Sequence, residues 1–197
     1  MIETPWVVGT RPARPLAEGL GAELHELPPV VLDPEWSGAR RIEEWQEGER
    51  TAPALDRAVV AVWPEVPEPC SVVDLDLEAW TARLETNFAL WFAALAATGD
   101  RCAPGGRVVA VVDRPAAKDS AGWALESAAA DAVEVMVRSL AQVHQDRGVR
   151  LHLVTTSARL SGAPPSALAE VAGAVDMLLS AGGAGVATAV IRAGSGW

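Results

Sequence analysis

Two acidic residues, Asp113 and Glu126, are the candidates for acid/base chemistry in this chain. Paired carboxylates in unlike surroundings can divide the roles of general acid and general base. The plainer alternative is one loop acid and one solvated acid in the first turn of a helix. Ser120 or Ser127 with His144 has the residue types of a nucleophile–base pair. A rise of about 1.5 Å per residue sets Ser127 roughly 25 Å from His144 along one helix, which rejects that pair. His25, His144 and His152 follow no metal-ligand spacing, and Cys70 and Cys102 make neither a metal motif nor a disulfide framework, so no metal is expected. Arg11 and Arg14 flank a helix start and could hold the phosphate of a nucleotide or a coenzyme A ester; solvated arginines are the plainer reading.

The elements that must position these groups follow from the apolar pattern. Trp6-Val7-Val8-Gly9 reads as a short buried strand, with a helix over Ala13 to Leu24. Residues 25–57 are the least legible part; Val30-Val31-Leu32 suggests a strand and Ala39 to Glu49 a charged helix. Ala58 to Trp63, stopped by Pro64, is a β-branched run of the kind buried on both faces of a parallel sheet. Asp76 stands at an N-cap position, and Leu77, Trp80, Leu84, Phe88, Trp91 and Leu95 recur at helical spacing. Strands are expected at 107–112, 149–155 and 185–192, and helices at 122–146 and 166–180. Strand–helix alternation of this kind implies a parallel sheet covered by helices on both faces. The expected fold is a three-layer, Rossmann-like, doubly wound α/β domain over residues 1–197, shortened and divergent over 1–57.

The chain has 197 residues, half of them hydrophobic, and a net charge of -10 with a pI near 4.7. That charge disfavours nucleic acid and anionic membrane surfaces, which need a positive field. The N-terminal residues do not have the make-up of a secretory signal, and no stretch is apolar and long enough to span a bilayer. A cytoplasmic location is expected. There is no tyrosine, and Lys118 is the single lysine. In helix 122–146 the polar residues Asp131, Glu134, Arg138, Gln142 and Gln145 form one narrow stripe. The remaining surface is apolar on two sides, which suits burial by the sheet and by a second subunit; a merely alanine-rich helix is the alternative.

The last 120 or so residues carry five motifs in order: Leu75 to Trp80 with Glu85-Thr86-Asn87; Gly105-Gly106-Arg107-Val108-Val109; Val133 to Ala141; Arg147-Gly148-Val149-Arg150-Leu151; and Glu170-Val171-Ala172 through Gly194-Ser195-Gly196. Together they resemble the short-chain dehydrogenase/reductase family over residues 58–197. The resemblance implies hydride transfer with a nicotinamide cofactor. It also implies a tyrosine acid/base, a lysine four residues later, a carbonyl-polarising serine and an asparagine that holds a relay water. On this sequence the asparagine position is Asn87, the serine position Asp113 or Arg114, the tyrosine position Glu126 and the lysine position Ala130. The glycine-rich loop is replaced by Gly9, Thr10, Arg11, Pro12 and Ala13, where prolines remove N–H donors. Trp63 is expected to crowd the adenosine side, and the substrate lid is cut down to about Ala158 to Pro164.

These departures predict that NAD(P) binding is lost and that the chain is a catalytically incompetent pseudoenzyme. It would serve as a structural or regulatory oxidoreductase subunit, as a homodimer or a hetero-oligomer with an active short-chain dehydrogenase. The resemblance implies assembly through the helix bearing Asn87, the next helix, and the last helix and strand, with Trp80, Leu84, Phe88, Trp91, Ala132, Met136, Leu140 and Val190 as interface candidates. One alternative is an enzyme with relocated chemistry, either a carboxylate-based lyase or isomerase or an atypical reductase. Its mark would be one pocket holding Asn87, Asp113 and Glu126. Another is a scaffold like the structural half of a polyketide ketoreductase.

Overall fold

The β-branched runs become the centre of a sheet. In the computed structural model, which describes residues 4–116, 120–164, 166–180 and 190–194, β3 (Leu55–Ala61), β4 (Cys102–Asp113) and β5 (Arg150–Thr156) lie side by side and parallel. β1 (Trp6–Gly9) and β2 (Leu24–Glu26) extend one edge and β6 (Val190–Ala193) the other, giving the order β2-β1-β3-β4-β5-β6. All pairings are parallel. The expected α/β doubly wound architecture is therefore the one observed.

Period-two alternation assigns the strand residues to two cores. Val60, Val108, Ala110, Leu151 and Leu153 face α2 (Ala39–Arg50), α4 (Thr86–Arg101) and α5 (Ala124–Val143), where Ile42, Trp91, Leu95, Val133 and Val137 meet them. Val59, Ala61, Val109, Val111 and Val154 face α1 (Arg14–Gly19) and α6 (Ser166–Leu179), against Leu16, Val171, Val175 and Leu178. A fully buried side chain of this size contributes about 1.5–3 kcal/mol.

Several boundaries differ from the sequence-based expectation. The helix expected over Ala13 to Leu24 ends at Gly19, because Gly21 turns the chain at φ +64° and Leu24 joins β2. Val30 to Leu32 is not a strand; the Leu32 N–H donates to Thr86 Oγ1 instead of to a ladder. β4 begins at Cys102, five residues early. Its pairing shifts between Leu55 and Arg57, so residues 103–106 bulge, and Gly105 absorbs the bend at φ +80°. Asp76 does cap α3 (Leu77–Trp80), accepting from Ala79 N at 2.7 Å. A single wide π turn, Thr81–Glu85, then joins α3 to α4 without a break. Of the last expected strand, residues 185–189 lie outside the described residues, as does Lys118.

Candidate active-site cleft

In open parallel sheets, ligands sit beyond the carboxyl ends of the strands where the strand order reverses. Here that place is the gap above β1 and β3, and a cavity of about 640 Å³ opens there. Thr10 and Arg11 follow β1, Glu26 ends β2, and Trp63 follows β3; Asn87 on α4 and Glu126 on α5 form the inner wall. The Thr10 hydroxyl accepts from Trp63 N at 2.8 Å and donates to Trp63 O, which clamps the ends of β1 and β3 together. Gly9 is needed for the same closeness. A Cβ there would stand 2.1 Å from Ala61 O.

Behind the inner wall lies a second cavity of about 20 Å³, lined by Asn87, Asp113 and Glu126 among others. The three candidate residues that the sequence spreads over 40 positions thus line one small space. Each carboxylate has one oxygen engaged by arginine: Arg159 donates to Asp113 Oδ2, and Arg83 donates to Glu126 Oε1 at 2.7 Å. The other oxygens, Asp113 Oδ1 and Glu126 Oε2, are buried without a partner, and so is Asn87 Oδ1. Burial pushes the Asp113 carboxyl up to about 6, with Arg159 opposing through its charge and hydrogen bond.

Arg83 and Arg159 were not legible as site residues. Arg83 sits on the π turn and also donates to Cys70 Sγ at 2.7 Å. Arg159, in the turn after β5, folds back over the Trp63 ring at 4.9 Å and donates to Pro64 O at 2.9 Å. Their guanidiniums reach their partners across long sequence separations, which no local spacing reveals. Glu26 was missed as well. Its signal was its place 17 residues after Gly9 at the end of a strand, but that strand is too short to stand out.

The other candidates are placed as follows. Ala130 is buried on α5 against the sheet and brings no polar atom. Pro12 lies in a single 3₁₀ turn, Arg11–Ala13, with Ala13 buried beneath it. Trp63 lines the cleft together with Thr10 and Glu26. Its indole turns toward β4, where Nε1 donates to Val111 O at 2.8 Å. Asp113, not Arg114, faces the inner cavity; Arg114 pairs outward with Asp131 and Glu134. His144 and His152 are buried on separate elements, and burial lowers the pKa of both, while His25 is exposed.

Among the interface candidates, Trp91 and Leu84 turn inward and are buried within the chain, and Trp80 and Phe88 pack around Leu84 with Leu125 and Ala129. Met136 and Leu140 line a shallow groove of about 250 Å³ between α4 and α5, together with Phe92 and Val135, which are 63% and 65% exposed. Ala132 is half-buried, and Val190 is exposed at the sheet edge.

The sequence matches no protein-family model and no curated protein. Solved structures do match in shape. The enoyl-[acyl-carrier-protein] reductase (NADH) of Aquifex aeolicus VF5 superposes with a TM-score of 0.63 at 16% identity, covering 98% of this chain and 96% of that one. A blue fluorescent protein from a metagenomic library, in complex with NADPH, gives 0.62 at 17% identity, covering 95% of each chain. BdcA in complex with NADPH gives 0.58 at 19% identity, covering 89% of this chain and 75% of that one. The chain shares with these structures a Rossmann-like α/β fold, a six-stranded parallel sheet flanked by helices.

These neighbours correct one expectation. The altered loop at Gly9 to Ala13, together with the bulk of Trp63, predicts loss of the nicotinamide nucleotide. Two of these three structures are NADPH complexes and the third is named for NADH, so the comparison points to a nucleotide cofactor rather than to none. The loop is a small part of the cleft, which is built from four further segments of chain. No described helix is long and apolar enough to cross a membrane.

Proposed function

We propose that this protein binds a nicotinamide nucleotide in the cleft above β1 and β3 but does not use it through the phenol chemistry of its fold relatives, and that it works as one subunit of an oligomer. The observation that carries the reading is the cleft itself: about 640 Å³ at the switch point of the sheet, in a chain with no tyrosine.

The residues present fit such a ligand. Glu26, at the end of β2, is where an acidic side chain receives a ribose hydroxyl in dinucleotide-binding sheets. Arg11 stands at the mouth with no side-chain partner among the described residues, free to meet phosphate charge. Pro12 removes one backbone donor, so the phosphate grip falls on that guanidinium rather than on a row of amides. The bound group would supply a hydride. This chain supplies the walls and the charge, and it places Glu126, already paired with Arg83, where the resemblance puts tyrosine.

The apolar groove between α4 and α5 supports the subunit reading, because exposed apolar side chains grouped in this way mark interaction surfaces. A second copy of this chain or an active relative would cover it. Native mass spectrometry of the chain in NADPH, alone and co-expressed with an intact short-chain dehydrogenase, tests both halves at once. The expected spectrum shows an oligomer carrying nucleotide, with carbonyl reduction only in a mixed species. A bare monomer under both conditions would overturn the reading.

A further inference from the structure

The inner cavity presents a problem in hydrogen-bond arithmetic. Asn87 Oδ1, Asp113 Oδ1 and Glu126 Oε2 are all buried acceptors without a partner, and they belong to residues that line one space of about 20 Å³. A space that size holds one water molecule. Leaving three such atoms bare would cost about 1–3 kcal/mol each. A water has only two hydrogens, so one acceptor remains unmet unless a further proton enters the site or the Asn87 amide turns. A proton on Asp113 Oδ1 completes the set: Asp113 donates to the water, and the water donates to Glu126 and Asn87. With Asp113 ionised, the water donates to both carboxylates, and the Asn87 amide turns to offer its N–H. Both networks are closed, and they differ by one proton and one amide rotation.

We infer that Asn87, Asp113 and Glu126 hold one water and a transferable proton behind the cleft, and that this assembly is an acid/base site for a neutral, largely apolar carbonyl compound. The inner cavity and the cleft share the walls Val62, Pro64, Pro67, Asn87 and Glu126, so a ligand in the cleft lies next to the water. Leu27, Val30, Val62 and Leu90 give the cleft an apolar wall that suits the uncharged body of a carbonyl compound. In the reaction, the C–H bond beside the carbonyl breaks and its electron pair forms the enolate, offset by the charge of Arg83. The proton passes to the water as the water gives one of its own to the Asp113 carboxylate. Return of a proton to the same carbon, or to a conjugated one, completes exchange or isomerisation with no oxidant, reductant or second reactant.

The charged groups facing Asp113 are Arg159 from the turn after β5, Glu126 from α5 with Arg83 behind it, and the neighbouring Arg114, which is itself held by Asp131 and Glu134. With desolvation the largest influence, the carboxyl gains its proton as pH falls through about 6, a value suited to exchange near neutrality.

The test has two readouts, taken without nucleotide so that the reading above is not at stake. Difference infrared spectroscopy across pH 5–8 should show a buried carboxyl titrating near 6. That signal should vanish in Asp113→Asn and shift in Asn87→Leu and Glu126→Gln, which a merely structural carboxylate would not do. Cyclohexanone in D2O, followed by mass spectrometry, should exchange its α-hydrogens faster with the wild type than with Asp113→Asn, by about 100-fold. Glu126→Gln serves as a second variant should Asp113→Asn fail to fold. A wild type with no such carboxyl signal, or one whose exchange rate equals that of the variants, overturns the inference.

Discussion

Arg83 and Glu126 meet at 2.7 Å although 43 residues separate them in the chain. The contact joins the π turn to the first turn of α5 and fixes Glu126 in the inner wall of the cleft. Glu126 is nine-tenths buried, and Arg83 is the cation paired with it there. Removing one member of a buried pair leaves the other uncompensated. Arg83→Met is expected to lower unfolding free energy by about 3 kcal/mol, read from urea denaturation. The double variant Arg83→Met with Glu126→Leu should recover most of that loss; no recovery would mean the pair is not what matters.

Asp113 gives a pH signature of its own. Its carboxyl stands near 6 in the fold against 3.8 outside it. The folded state therefore binds more protons between those values, and stability falls as pH rises through that window. The wild type should lose about 3 kcal/mol relative to Asp113→Asn between pH 4 and 7, with a flat difference above. Guanidinium melts at each pH would measure it. A difference that grows in the opposite direction would contradict the burial argument.

Phe92 and Val135 sit exposed across the α4–α5 groove. Charges there should prevent a second subunit from docking while leaving the fold untouched. Phe92→Lys with Val135→Lys is expected to shift the native mass to that of a monomer and to change the unfolding free energy by no more than about 0.5 kcal/mol. An unchanged oligomer would move the interface elsewhere.

Trp63 is fully buried, and its indole Nε1 donates to Val111 O. Trp63→Phe leaves that carbonyl unmet and the Arg159 guanidinium without part of its ring. A loss of about 2–3 kcal/mol is expected from the unpaired acceptor and the vacated volume, measured by thermal or urea melts.

The central strands and the long helices were legible because they are buried on both faces or along a clear stripe. Ala58 to Val62, Val108 to Val112 and the Val133–Val137 face declare themselves through apolar content alone. β2 was not legible, since three residues with one buried side chain carry no period. The bulge at 103–106 was hidden because glycine and proline usually end a strand rather than start one. In the site, Asn87, Asp113 and Glu126 could be named from the resemblance, but their shared cavity could not. Arg83 and Arg159 neutralise them from elements far away in sequence, and those elements are brought there only by folding.

The most direct test of the account is an NADPH titration followed by energy transfer from tryptophan to the dihydronicotinamide, with Trp63 lining the cleft as the nearest donor. The account predicts a saturable signal that weakens about 10-fold in Arg11→Ala, the loss of one charge-assisted contact. It also predicts no fall in NADPH absorbance when simple aldehydes or ketones are added to the chain alone. A signal that never saturates up to millimolar NADPH, or rapid NADPH oxidation by the isolated chain, would contradict it.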